Sequence, residues 1–149
     1  MNQSLPIQLA DAIVAAITTA PVATFNQAIS AVRHYRPQFD LEELKSLRVS
    51  VVPKAIEIAT LGRRSNQHDV SVDVAVQQKV DAADNTALDA LMTLVQQVAD
   101  FLRLRRIDLT DGSSGVWIKT ENTPIYSPEH LEQKQVFTSV LTVTYRVVR

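Results

Sequence analysis

No cysteine occurs anywhere in the 149 residues. Its absence removes thiol catalysis, disulfide bonds and thiolate metal sites together, and leaves the redox compartment open. Glycine is almost as scarce, with only Gly62, Gly112 and Gly115 present. Three such glycines make neither a dinucleotide-binding fingerprint nor a phosphate loop. Ser113 and Ser114 stand in a glycine-flanked stretch, but the G-x-S-x-G nucleophile elbow is missing. An excess of one charge sign is missing too. Fifteen Lys and Arg against sixteen Asp and Glu leave a formal net charge of −1. Bulk electrostatics therefore call for neither nucleic acid nor an acidic membrane surface.

What is there is the composition of a globular protein, 46% hydrophobic and 21% charged. A domain of this length buries roughly 68–70% of its unfolded surface, so no covalent or metal staple is needed. We expect a single domain over residues 1–149. Residues 13–23, IVAAITTAPVA, resemble the core of a signal peptide in composition. A basic leader is missing, however, and Asp11 sits at the edge of the apolar part. The run is also shorter than the ~20 apolar residues of a membrane span. Leu5, Leu9, Ile13 and Ile17 recur at helical spacing, with Ala12 and Ala16 beside them. Ser4 can cap this helix, Pro6 fits its first turn and Pro21 stops it. The expectation is a docked helix, not an anchor.

Strand periodicity takes over after Pro21. Residues 24–35 alternate loosely, and Arg36-Pro37 breaks the pattern. Asp40 and Glu43 have capping-box spacing, which predicts a short helix over 41–46. Leu47, Val49 and Val51 then alternate until Pro53, after which Ile56 and Ile58 resume on the other parity. A proline at a parity switch predicts a bulge or an edge position. The turn at residues 61–66 makes a long hairpin, and the returning strand places His68, Val70, Val72, Val74 and Val76 on one face. A second helix opens at Asn85 or Thr86 and carries Leu88, Leu91, Met92, Val95, Val98, Ala99 and Leu102 as its apolar stripe. It ends in Arg103, Arg105 and Arg106, as suits a helix C-terminus. A loop over 109–115, a short strand over 116–119, an irregular segment over 122–133 and a strand over 135–148 complete the chain. Both faces of the last strand are rich in β-branched or aromatic residues, so a strand that is central or covered on both sides is expected. The predicted class is α+β: a mainly antiparallel sheet with a long hairpin and two main helices packed on one face.

Candidate chemistry is thin. His68 and Asp69 are neighbours on a strand and point to opposite faces, so they do not chelate together. Asp69 and Asp73 share a face but stand about 13 Å apart, too far for an unaided carboxylate dyad. His34 beside Tyr35 suits packing or a contact. Glu129, His130 and Glu132 are the one group whose residue types would suit a metal site, with a solvated acidic segment as the alternative. No catalytic residue, resident metal or cofactor is assigned. Assembly is the better-supported use of the chain. Strands of ten or more residues in a small open sheet leave N–H and C=O groups that must be covered or paired. Head-to-tail pairing between copies that closes on itself gives a ring. Arg63, Arg64 and Asn66 at the hairpin tip, with Trp117 and Tyr126 beside loops, are the candidate interface residues.

Several segments together carry a family resemblance. They are Tyr35-Arg36-Pro37 through Asp40-Leu41-Glu42-Glu43-Leu44, Arg48-Val49-Ser50-Val51-Val52-Pro53, and His68-Asp69-Val70-Ser71-Val72-Asp73-Val74-Ala75-Val76. After the Leu-rich helix follow Ile125-Tyr126-Ser127-Pro128-Glu129-His130-Leu131 and Phe137-Thr138-Ser139-Val140-Leu141-Thr142-Val143-Thr144-Tyr145. In this order, along nearly the whole chain, they resemble the small tail-terminator (tail completion) proteins of long-tailed bacteriophages. The resemblance implies a homo-oligomeric, hexameric ring that caps the tail tube, halts its polymerisation and joins tail to neck. It implies a tail-tube protein and a neck or connector protein as partners, DNA only in passage through the pore, and no membrane. It further implies residence in the virion tail or neck after assembly in the host cytoplasm, with Arg103, Arg105 and Arg106 as candidates for a basic pore lining. A neck or head–tail completion protein is the alternative within this class. A small metal-dependent hydrolase built on Glu129, His130 and Glu132 is the alternative outside it.

Overall fold

Six strands join one mixed sheet in the computed structural model, which describes residues 3–36 and 38–149. They are β1 (Ala31–Arg33), β2 (Arg48–Thr60), β3 (Asn66–Lys79), β4 (Ile107–Asp108), β5 (Ser114–Glu121) and β6 (Val136–Val148). Their spatial order is β1-β2-β3-β6-β5-β4. Only the short β1–β2 pair is parallel, and every other pairing is antiparallel. Among the described residues three α-helices accompany the sheet: α1 (Leu5–Thr18), α2 (Asn85–Leu102) and α3 (Pro128–Lys134). The class is therefore α+β, as the alternating patterns predict.

The periodicities explain the core. Leu5, Leu9, Ile13 and Ile17 of α1 are buried, and so are Leu91, Leu94, Val95, Val98 and Leu102 of α2. Both stripes close over the sheet face formed by Val49 and Val51 of β2, Val70, Val72, Val74 and Val76 of β3, and Leu141, Val143, Tyr145 and Val147 of β6. The buried Tyr145 hydroxyl donates to the Leu102 carbonyl at 2.9 Å, which ties the last turn of α2 to the sheet. β6 lies between β3 and β5, in the interior of the sheet, and its open face carries threonines with Val140 and Val148 exposed. Pro53 marks the expected bulge: the β2–β3 register shifts between Pro53 and Ala55.

Several local expectations change. A strand over 24–35 is predicted, yet only Ala31–Arg33 forms one. Earlier in that segment, Phe25 packs edge-on against Phe101, 5.5 Å between ring centroids. The Asn26 N–H donates to Gln97 Oε1 at 2.8 Å and its side-chain amide to the Ala90 carbonyl at 2.9 Å. These contacts hold the segment against α2 and away from the sheet. Pro37, expected to end that strand, lies outside the described residues. The short helix expected over 41–46 is a single 3-10 turn, Glu43–Lys45. Only one arm of the capping box forms there, with the Asp40 N–H donating to Glu43 Oε1 at 3.2 Å. The N-cap of α2 is Asp84, whose carboxylate accepts from the Ala87 N–H at 3.1 Å. The segment read as irregular contains α3, opened by Ser127 as N-cap and Pro128 in the first turn. The strand expected over 116–119 runs longer at both ends.

Candidate assembly surface

Strand alternation assigns every sheet residue to the helix side or to the open side. On the open side most of the charges are neutralised in pairs. Arg146 Nε and Nη2 donate to the two Asp69 carboxylate oxygens at 2.9 and 3.1 Å, and Arg146 holds the Asp69 carboxyl below its usual range. Asp73 accepts from Thr142 Oγ1 at 2.6 Å and stands 3.6 Å from Lys54 Nζ. Lys119 and Glu121 pair at 2.8 Å. Ser71 and Thr144 share a hydrogen bond across the sheet at 3.0 Å. Such a face is solvated and electrically balanced, and offers little net charge for recognition.

The helix side is different at the hairpin. Beyond the bulge, Ile56 and Ile58 sit on the helix side, opposite Val70 and His68. Val70 is fully buried and His68 nearly so, but Ile56 and Ile58 remain 41% and 58% exposed. Leu61, at the turn, is also half-exposed. The outer edge of this stretch is bare as well, because β1 pairs only with Val49–Val51 and the His34 N–H reaches the Val51 carbonyl at 3.0 Å. Backbone groups along residues 54–60 that point away from β3 have no partner strand among the described residues. The hairpin thus offers an aliphatic flank, an open edge and a tip carrying Arg63 and Arg64. Among the described residues, neither arginine forms an ion pair. Asn66 stands beside the turn, opposite Thr60, and exchanges backbone hydrogen bonds with Arg149.

A groove opens on the same sheet side near the opposite edge. It is lined by Met92, Val95 and Ala99 of α2, Trp117 of β5, Ile125 and Leu141, and has a volume of about 420 Å³. Trp117 is half-buried, and its indole N–H donates to Thr120 Oγ1 at 2.9 Å. Asp100 and Gln96 line the α2 side, hydrogen-bonded to each other at 2.9 Å, and Arg103 lies at one end. The neighbouring edge of β5 is open too, since β4 covers only Ser114 and Gly115.

The remaining candidates fall in separate places. Tyr126 stacks on Phe137, 6.3 Å between centroids, and borders a smaller cavity with Leu88, Met92 and Leu131. Arg105 lies over the Phe101 ring at 3.9 Å, and Arg106 stands 3.6 Å from Asp108 and donates to Ser114 Oγ at 3.0 Å. His34 packs edge-on against Phe39. His130 Nδ1 is 3.0 Å from Thr138 Oγ1, and no group of three His, Cys, Asp or Glu side chains placed to hold a metal occurs among the described residues. Glu129, His130 and Glu132 are thus not brought together as ligands. The structure joins Trp117 and Arg103 in one groove and leaves Arg63 and Arg64 on the opposite flank. Sequence reading missed the exposed pair Ile56 and Ile58 as a surface, although the parity switch at Pro53 marked the place.

No family model and no curated protein matches the chain. Among solved structures it is similar to a chain in the "Virion of native gene transfer agent (GTA) particle", with 14% sequence identity and a TM-score of 0.59. The likeness covers 99% of this chain and 100% of that one, and at this identity it establishes a shared fold.

Proposed function

We propose that the chain is a structural protein of a phage-like virion and acts as a tail terminator, a ring that caps the tail tube, stops its growth and joins tail to neck. The observation that carries this reading is the end-to-end fold likeness to a virion chain, with neither chain leaving an unmatched domain. The open edges at both sides of the sheet support it, because a subunit with two unpaired edges is suited to neighbours on both sides. Residues 1–149 act as one assembly domain without catalysis or cofactor. The ring is a homo-hexamer, flanked by the tail-tube protein and a neck protein, with DNA passing through. Arg63, Arg64, Asn66, Trp117 and Tyr126 serve contacts between subunits or partners. Arg103 is the best candidate for the bore, since Arg105 and Arg106 are engaged within the chain.

Electron microscopy of particles made without the protein tests the reading. Overlong tails without heads are the expected result, with normal length and joining restored by the wild-type chain. A gold label on the restored particles falls at the head-proximal end of the tail. Tails of normal length that merely fail to join heads would indicate a neck protein instead. In the same assay, Arg63→Glu with Arg64→Glu leaves folding intact and lowers the yield of joined particles.

A further inference from the structure

The hairpin flank and the groove differ in kind. One is an exposed aliphatic ridge with two arginines that form no ion pair among the described residues, and the other is an apolar recess whose one carboxylate, Asp100, has only the Gln96 amide as partner among them. They lie on the same side of the sheet, near its opposite edges. A ridge and a recess so placed cannot satisfy each other within one chain. Between copies they make a head-to-tail contact, in which each subunit gives its ridge to one neighbour and its recess to the other.

We propose that a second copy of this chain occupies the groove: Ile56, Ile58 and Leu61 of one subunit seat against Met92, Ala99, Trp117 and Ile125 of the next. Arg63 and Arg64 reach the Asp100 side. Three features favour this occupant. The ridge brings side chains that are apolar and exposed where a strand of the core sheet would normally be covered, and such patches mark contact surfaces. The groove wall is apolar with an aromatic anchor, Trp117, at its floor, as in the central part of many interfaces. The charges are complementary, with cations at the ridge tip and a carboxylate on the recess wall. Arg103 at the groove end sets the direction in which the tip lies, since it repels Arg63 and Arg64 toward Asp100. The inference deepens the ring reading above and rests on it, and assigns the surfaces through which the ring closes.

Two blocked variants test it. Ile58→Asp places a charge on the exposed ridge, and Gln96→Trp fills the recess from a solvent-facing position, so neither touches the core. Each alone loses association at least about tenfold by mass photometry at concentrations where the wild type assembles. Mixed in equal amounts, they form a one-to-one dimer and nothing larger, because only one intact ridge and one intact recess meet. Circular dichroism of each variant matches the wild type. Since the chain has no cysteine, Ile58→Cys and Gln96→Cys proteins add a second measurement at high concentration with a thiol cross-linker. Mixed pairs cross-link, whereas either variant alone does not. The inference is overturned if both blocked variants assemble normally, if their mixture stays monomeric, or if the cross-links join like with like. It is equally overturned if a cross-linker captures nothing. Normal tails on particles lacking the protein would instead remove the terminator role while leaving this contact standing. Asp100→Arg is also expected to recover part of the association lost in Arg63→Glu with Arg64→Glu, and no recovery would place the tip elsewhere and overturn the charge assignment.

Discussion

The two halves of β2 carry similar residues and have opposite fates. Val49 and Val51, before the bulge, are 3% and 0% exposed, whereas Ile56 and Ile58, after it, stand open. Both pairs lie on the helix side and both face a β3 residue that is buried. One row across the sheet shows the cause: Ile56 pairs with Val70 and Val70 with Tyr145, yet only the last two are sealed. At this level the core closes over Val70 and Tyr145 and leaves Ile56 outside it. Burial here depends on where a helix reaches, and the strand's own alternation decides only the side on which a residue would be buried.

That contrast can be broken or sharpened by substitution. The largest expected effect is Val51→Ala, which removes two methyl groups from a closed site and should cost about 2 kcal/mol in urea unfolding. Ile56→Ala and Ile58→Ala should each stay within about 0.5 kcal/mol in the monomer. A cost at Ile58 as large as that at Val51 would show the hairpin flank to be covered and would dissolve the contrast. Next comes Tyr145→Phe, which removes the hydroxyl donor to the Leu102 carbonyl while the Arg105 N–H stays on it, and should cost about 1 kcal/mol. Burial raises the Tyr145 hydroxyl well above the usual tyrosine range. Its contribution is therefore fully present below about pH 10, the unfolded value, and is lost as the pH climbs beyond that. The wild type should lose stability in strong alkali more steeply than Tyr145→Phe, as followed by chemical denaturation at increasing pH. The smallest effect belongs to the open face. Arg146 lowers the Asp69 carboxyl, so this pair stabilises the fold above the ordinary carboxylate range and stops doing so as acid protonates Asp69. Asp69→Asn should be slightly weaker near neutral pH and indistinguishable from the wild type in strong acid.

The same distinction explains how much was legible beforehand. Leu5, Leu9, Ile13 and Ile17 form a helical stripe, and Val70, Val72, Val74 and Val76 a strand face, because period alone dictates which residues share a side. The bulge at Pro53 was legible for the same reason. Residues 24–30 were not, since the pull of Phe101, Gln97 and Ala90 comes from a helix about seventy residues away. α3 was hidden by the shortness of its apolar pattern, although Ser127 and Pro128 announced its start. For the candidate surface, the arginines of the tip and Trp117 were visible as residue types. The recess was not, because it is made by the spacing of α2 from β5, and no local pattern encodes that gap.

The register shift at Pro53 has a consequence for the sidedness of the whole hairpin. If the same residues ran on without the register shift, the phase set by Val49 and Val51 would carry through to Ala55, Glu57 and Ala59. The helix-facing flank would then be acidic and small, and the isoleucines would point to the open face. One residue of backbone thus acts as a phase shifter, choosing which of two different surfaces the same string of side chains displays. Deleting Lys54 would straighten the strand and leave Ile56 and Ile58 on the helix side, because the bulge absorbs the one residue for which β3 has no partner.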